Sequence, residues 1–138
     1  MGPPLSASML LAVGVGGAAG ALLRWSLGVA LPDGNGFPWT TFGINVTGSL
    51  VLAVLPVLLA AHRRPLLALA LGPGLLGGFT TLSTYAEQGR ALLAEGEVLT
   101  AAGYLLGTLT VCLFAVRVGG GLARAVAHRD PPDRGWHA

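Results

Sequence analysis

Four apolar stretches account for most of this chain and decide what it can fold into. They cover residues 5–30, 37–61, 65–93 and 98–126. A helix needs about 20 mainly apolar residues to cross the hydrocarbon core of a bilayer. The chain is 53% hydrophobic and 10% charged, whereas soluble domains carry about 25% charged residues. The sequence therefore predicts an all-α, multi-pass integral membrane protein with four transmembrane helices.

Turn-forming residues separate these stretches, and a polar segment follows the last one. The breaks are Pro32-Asp33-Gly34-Asn35-Gly36, His62-Arg63-Arg64-Pro65 and Glu95-Gly96-Glu97, and their residue types are typical of turns. We predict one four-helix transmembrane domain over residues 1–127. Residues 128–138 are polar and rich in proline, which predicts a disordered tail.

The third stretch contains a glycine pair followed by several hydroxyl residues: Gly77-Gly78-Phe79-Thr80-Thr81-Leu82-Ser83-Thr84-Tyr85. Paired glycines and β-branched threonines weaken a helix. At membrane depth, non-helical backbone is tolerated only where it is buried in protein or lines a polar cavity. We predict that the third helix is broken here and that the hydroxyl groups form an ion or solute site. The alternative is a packing kink whose hydroxyls bond to preceding carbonyls.

Two further polar clusters lie inside the apolar segments. Asn45 brings an amide with two donors and one acceptor group into the second stretch. Tyr104, Thr108 and Cys112 recur every four residues, so they share one face of the fourth helix. Each cluster suits a transport pathway, but each also suits hydrogen bonds that hold neighbouring helices together.

The number of helices and the positions of the arginines predict the assembly. Four short helices leave little protein interior, so polar groups at mid-membrane need a second subunit, most simply in a dimer. Arg24 lies beside Trp25, where it can snorkel to the membrane interface. Five arginines lie on the side of the termini and two on the other side, namely Arg63, Arg64, Arg124, Arg129 and Arg134 against Arg24 and Arg90. This bias predicts cytoplasmic termini.

The sequence argues against several functional classes. It has no His/Cys/Asp constellation for an enzyme, no basic stripe for nucleic acid, and a single cysteine, which excludes a disulfide framework. Residues 5–30 contain no Asp or Glu, which disfavours a small-multidrug-type proton-coupled exporter. A non-transporting membrane scaffold is a further alternative. The uncharged, donor-rich clusters favour a small anion that passes through without its water.

Three motifs resemble those of the Fluc/CrcB fluoride channel family. Residues 17–25 resemble the family's opening Gly-x-x-Gly-Ala-x-x-Arg-Tyr, and residues 41–49 resemble its second-helix motif Thr-Leu-x-Val-Asn-x-x-Gly-Ser. Residues 77–85 resemble its Gly-Gly-x-Thr-Thr-Phe-Ser-Thr-Phe signature. Tyr104 and Thr108 fall where the family has a tyrosine and a hydroxyl residue on the fourth helix. The match covers nearly the whole chain.

The resemblance implies a passive channel that lowers cytoplasmic fluoride, in a bacterial-type plasma (inner) membrane. It implies an antiparallel, dual-topology dimer with a structural sodium ion that is not transported. The backbone carbonyls of Gly77 and Thr80 would hold that sodium. Arg24 would lie at the vestibule. The implied anion pathway comprises Asn45, Leu82, Ser83, Thr84, Tyr85, Tyr104 and Thr108.

The chain departs from the family pattern at three positions. Leu82 and Tyr85 replace two pore phenylalanines, and Gln88 stands where the family often has a carboxylate. In some organisms such channels are built from two paralogous chains, one of which has lost part of the pore motif. These departures and the arginine bias predict that this chain pairs with an oppositely oriented paralogue, with a homodimer as the alternative.

Overall fold

The fold is a bundle of membrane-length helices. In the computed structural model, residues 6–60 and 64–129 are described, and these ranges contain helices and turns but no strand. The helices are α1 (Ala7–Ala30), α2 (Trp39–Ala60), α3 (Pro65–Leu69), α4 (Gly77–Phe79), α5 (Leu82–Ala94) and α6 (Val98–Arg129), with a π-helical segment at Ala70–Leu76. Residues 65–94 form the third span, and four spans are long and apolar enough to cross a membrane. The predicted all-α class with four transmembrane helices is confirmed.

The ends of the spans differ slightly from the predicted ends. α1 begins at Ala7, with the Ser6 side chain as its N-cap, and α6 continues through His128 and Arg129. These last two residues therefore belong to a helix and not to the predicted tail, since no proline occurs in this segment before Pro131. Residues 130–138, which include Arg134, and residues 61–63, which include Arg63, lie outside the described residues.

Proline and glycine explain the irregular third span. Pro65 occupies the first turn of α3, where its missing N–H costs nothing. Pro73 lies inside the π-helical segment. Its ring excludes the ordinary α-helical hydrogen bond, which accounts for the wider turn. Gly77 and Gly78, which we expected to weaken the helix, are themselves helical.

Glycines on α1 allow the first and third spans to approach until their backbones touch. A Cβ atom added at Gly16 would collide with the Ala70 carbonyl, and one added at Gly20 would collide with the backbone of Leu75 and Phe79. Such contacts are a common way for helices to associate in lipid. The close approach fixes the position of α4 along the axis of α1.

The remaining spans bring the polar residues together. α2 packs along α6, and α5 packs on α6. Near the start of α6, Tyr104 is fully buried and contacts the rings of Phe37 and Tyr85, with centroid distances of 5.4 and 5.2 Å. This arrangement places Asn45, Tyr85 and Thr108 around one region of the bundle.

Candidate functional site

The candidate site surrounds two residues of extended backbone between α4 and α5. Thr80 has φ −74° and ψ 156°, and Thr81 has φ −146° and ψ 121°. The Asn45 side chain binds Thr81 twice: its Nδ2 donates to the Thr81 carbonyl at 3.0 Å, and its Oδ1 accepts from the Thr81 N–H at 2.8 Å. The amide thus satisfies the backbone polar groups that an α-helix would have paired.

Side-chain capping leaves two carbonyl groups without their usual helical partners. The Thr81 N–H, which would donate to the Gly77 carbonyl in a continuous helix, donates to Asn45. The Thr84 N–H, which would donate to the Thr80 carbonyl, donates to Thr81 Oγ1 at 3.1 Å. The carbonyl oxygens of Gly77 and Thr80 are consequently available to another ligand.

A cavity of about 240 Å³, here called the inner cavity, opens beside this extended segment. Asn45 lies at its wall and is 9% exposed, so its amide reaches the cavity from a nearly buried position. The Thr108 side chain is 3% exposed, and its Oγ1 has no hydrogen-bond partner among the residues that the structure describes. The complete lining is Asn45, Ser49, Leu52, Thr80, Thr81, Leu82, Tyr85, Thr108, Leu109 and Cys112.

The unpartnered hydroxyl of Thr108 is the most informative atom of the inner cavity. A buried hydroxyl without a hydrogen bond costs about 1–3 kcal/mol. Buried polar groups in folded proteins are nearly always paired. The inner cavity is therefore suited to a ligand that accepts a hydrogen bond from Thr108.

A second cavity, of about 380 Å³ and here called the outer cavity, lies near the end of α1. Arg24, Asp33, Thr84 and Gln88 contribute to its wall, and Thr81 lines both cavities. The Arg24 Nε donates to the Gly78 carbonyl at 3.2 Å. This bond holds the Arg24 side chain at the wall of the outer cavity. Its role at a vestibule stays a prediction.

A hydrogen-bonded chain joins the loop before α2 to α5 and α6. Asp33 Oδ1 accepts from the Thr40 N–H at 2.7 Å, and Asp33 Oδ2 accepts from Gln88 Nε2 at 3.1 Å. Gln88 Oε1 in turn accepts from the Tyr104 hydroxyl at 2.9 Å. The Tyr104 hydroxyl hydrogen is thus committed to Gln88.

The structure places most of the predicted site residues at the walls of the two cavities. Asn45, Leu82, Tyr85 and Thr108 line the inner cavity, whereas Arg24 and Thr84 line the outer cavity. Leu82 is 78% exposed on the single chain. The Tyr85 hydroxyl donates to the Leu105 carbonyl at 2.6 Å, so this tyrosine presents its ring and not its O–H to the inner cavity.

Two other predicted residues lie apart from the cavities' walls. Tyr104 is fully buried and belongs to neither lining. Ser83 is exposed on the single chain, and its hydroxyl lies 3.3 Å from that of Thr81. Ser83 is therefore placed to meet a partner subunit or lipid.

Sequence reasoning missed Asp33 as a site residue, and it missed the role of the Thr81 backbone. An aspartate in a Pro-Asp-Gly turn is ordinary, and its bond to the Thr40 N–H spans seven residues instead of the two or three of a normal N-cap. Thr81 acts through its backbone as well as its hydroxyl. Residue type alone does not reveal such a role.

The fold and the site define a small multi-span membrane protein with a polar cavity inside the bundle. The chain belongs to the CrcB family. A family model described as "CrcB-like protein, Camphor Resistance (CrcB)" matches residues 11–120. The sequence of this chain is 48% identical over 127 residues to a protein of Nocardia farcinica named "Fluoride-specific ion channel FluC 2". The aligned region covers 88% of this chain and 89% of that protein.

Other relatives carry similar names. "Fluoride-specific ion channel FluC 1" of Streptomyces coelicolor is 41% identical over 127 residues, or 87% of this chain and 80% of that protein. "Fluoride-specific ion channel FluC" of Chloroflexus aurantiacus is 40% identical over 120 residues, or 83% of this chain and 94% of that protein. The resemblance inferred from the motifs is confirmed.

Proposed function

We propose that this chain is a subunit of a fluoride-specific ion channel, and not an enzyme, that lets fluoride leave the cell passively. The observation that carries the proposal is the unpartnered Thr108 hydroxyl at the wall of the inner cavity. The names of the relatives supply the identity of the ion. The plasma membrane is the proposed location, in keeping with the four spans.

The chemistry of the inner cavity suits a small dehydrated anion. Fluoride gives up its water only where short hydrogen bonds replace it. Thr108 Oγ1 has a free hydrogen, and Asn45 Nδ2 has a second N–H besides the one donated to Thr81. The ring of Tyr85 can add the positive edge of an aromatic group. Among the described residues that line the inner cavity there is no carboxylate, so they offer no acidic side chain of the kind that proton-coupled exporters use.

The channel is proposed to be an antiparallel dimer in which the interruption of the third span faces the partner. Gly77, Leu82 and Ser83 are exposed on the single chain, although Gly77 and Ser83 carry polar atoms that are costly to leave in lipid. A paralogue of opposite orientation is the proposed partner. The arginine bias supports it, as do the numerals in the names FluC 2 and FluC 1 of two relatives.

A structural sodium ion is proposed at the centre of that dimer. The carbonyl oxygens of Gly77 and Thr80 lack their helical partners, and carbonyls of unwound backbone are typical sodium ligands in membrane proteins. Two chains would supply both carbonyls twice. The ion would also offset part of the cost of bringing an anion into the membrane.

Sodium is expected to stabilise the assembled protein against heat. A ligand at one hundred times its Kd stabilises the folded state by about 2.7 kcal/mol. We expect the Tm in detergent to rise with NaCl and not with N-methylglucamine chloride at equal ionic strength. Equal melting curves in the two salts would remove sodium from the proposal while leaving the anion pathway intact.

Thr108→Val is expected to lower fluoride efflux about tenfold or more, because a hydrogen bond to a charged group contributes about 1.5–3 kcal/mol. The measurement is fluoride release from proteoliposomes, followed with an ion-selective electrode, with chloride as the reference ion. Valine also removes the unpaired hydroxyl, so the Tm should not fall. Thr110→Val is the matched control, since Thr110 is exposed on the same helix.

The same assay decides function and partner. The chain is reconstituted alone and after co-expression with a second family member from the same organism. If neither preparation released fluoride, the proposed function would be contradicted. Robust release from the chain alone contradicts an obligate paralogue.

A further inference from the structure

Gly48 on α2 leaves the space that the side chain of Thr80 occupies. A Cβ atom added at Gly48 would collide with the Cγ2 methyl group of Thr80 and would lie 3.3 Å from Phe79 Cδ1. Gly48 is buried and follows Asn45 by three residues, so the two residues lie on the same face of α2. α2 therefore meets the extended segment at two neighbouring points, the amide of Asn45 and the backbone of Gly48.

A hydrogen bond prevents the Thr80 side chain from turning away from Gly48. The Thr80 Oγ1 donates to the Leu76 carbonyl at 2.9 Å, and this orientation places the Cγ2 methyl group against Gly48. The hydroxyl and the methyl group of a threonine rotate together about χ1, which has few allowed positions. An added Cβ atom at Gly48 would therefore break the bond to Leu76 or displace the Thr80 backbone.

The direction of the peptide unit between Thr80 and Thr81 is set from α2. The Thr81 N–H donates to Asn45 Oδ1 at 2.8 Å, so this N–H points toward α2. The peptide is trans, and the C=O of a planar trans peptide points opposite to its N–H. The Thr80 carbonyl is therefore directed away from the Asn45 amide, and the Thr84 N–H leaves it free because that N–H donates to Thr81 Oγ1.

We propose that Gly48 is a positioning residue for a cation: by leaving room for the Thr80 side chain, it keeps the Thr80 carbonyl directed at a metal site. The inference rests on the proposed function, in which this carbonyl and that of Gly77 bind sodium. A carbonyl binds a cation through its oxygen atom. Even a modest rotation of the Thr80 peptide unit therefore weakens binding while the fold is retained.

Gly48→Ala, alone and combined with Thr80→Ser, tests this contact. Serine keeps the Oγ1 that bonds to Leu76 but lacks the Cγ2 methyl group, so it frees the space that an alanine Cβ needs. The rise of Tm with NaCl, relative to N-methylglucamine chloride, is measured on the assembled full chain. We expect Gly48→Ala to raise the NaCl concentration at half of this rise about tenfold or more, since contacting residues couple by amounts of this order. In the Thr80→Ser background, the same substitution should raise it by less than about threefold.

Gly43→Ala is the matched control on the same helix. A Cβ atom at Gly43 meets nothing within 4 Å in the single chain, so this variant should respond to NaCl as the unmodified protein does. If Gly48→Ala does not assemble, the double variant with Thr80→Ser decides. Assembly of the double variant with a sodium response supports the contact, whereas failure to assemble or to respond contradicts it.

The outcomes separate the positioning role from a packing role. An equal loss of the sodium response in both backgrounds would overturn the inference, because Gly48 would then act without the Thr80 methyl group. A Tm that falls equally in both salts, with an unchanged sodium response, would leave Gly48 with a packing role alone and would also overturn it. The inference likewise fails if the unmodified protein does not respond to sodium, whereas its release of fluoride from proteoliposomes decides the proposed function separately.

Discussion

Asn45→Asp is expected to reduce fluoride efflux more than a hundredfold. The Asn45 amide lies at the wall of the inner cavity and is nearly buried. Two like charges about 5 Å apart repel by roughly 3 kcal/mol at an effective dielectric constant of 20. A carboxylate at this position would therefore exclude an anion that the neutral amide accepts.

The same substitution should also weaken the segment between α4 and α5. Aspartate can still accept from the Thr81 N–H, but it cannot donate to the Thr81 carbonyl, which Asn45 Nδ2 now satisfies at 3.0 Å. Two acceptors would face each other in a buried place, at a cost of about 1–3 kcal/mol. We expect a lower Tm together with the loss of efflux.

Asn35→Asp is the matched control for charge and chemistry. Asn35 is exposed in the loop between α1 and α2, so the same substitution there should change efflux by less than about twofold. The assay is release of fluoride from proteoliposomes that contain equal amounts of assembled protein. Efflux of the Asn45→Asp variant at the level of the unmodified channel would remove Asn45 from the ion pathway.

Gly20→Ala is expected to destabilise the protein by about 2 kcal/mol or more. The added Cβ would collide with the backbone of Leu75 and Phe79. Backbone atoms cannot rotate aside as a flexible side chain can, so overpacking here should lie at the upper end of the usual 1–3 kcal/mol. Relief requires α1 to move away from the third span and thereby to shift α4.

Gly14→Ala is the control on the same helix. A Cβ at Gly14 meets nothing within 4 Å in the single chain, and alanine is a better helix former than glycine by up to about 1 kcal/mol. Thermal unfolding in detergent and the yield of assembled protein measure both variants. If Gly20→Ala unfolded at the same temperature as Gly14→Ala, the close approach of α1 to the third span would be contradicted.

The spans could be predicted from sequence because apolar length alone demands them. The predicted ends fall within a few residues of the helix ends, and the largest difference is at α6, where helix continues to Arg129. The π-helical segment at Ala70–Leu76 was not predicted. A proline in an apolar stretch is compatible with a kink, a break or a wider turn. The lack of room for a Cβ at Gly74, beside the backbone of Val13 and Gly16, is not visible in sequence.

The site could be predicted only where its residues contrast with an apolar background. Asn45 and Thr108 stand out for that reason, and the structure places both at the inner cavity. Asp33 does not stand out, because polar residues are expected in a turn and its bond to Gln88 spans 55 residues. Tyr104 is predicted from its spacing with Thr108 and Cys112 and from the resemblance, whereas the hydrogen bond from its hydroxyl to Gln88 is visible only in the structure.

The π-helical segment has a consequence for how this span is aligned. A π turn corresponds to an α-helix that carries one inserted residue, and each residue of an α-helix advances the azimuth by about 100°. Shortening Ala70–Leu76 by one residue would therefore swing everything after it around the helix axis by roughly that angle. The backbone of Thr81 would turn away from the Asn45 amide. The one extra residue of the π-helical segment, about seven positions before the site, thus sets the side of the helix axis on which the Thr81 backbone lies.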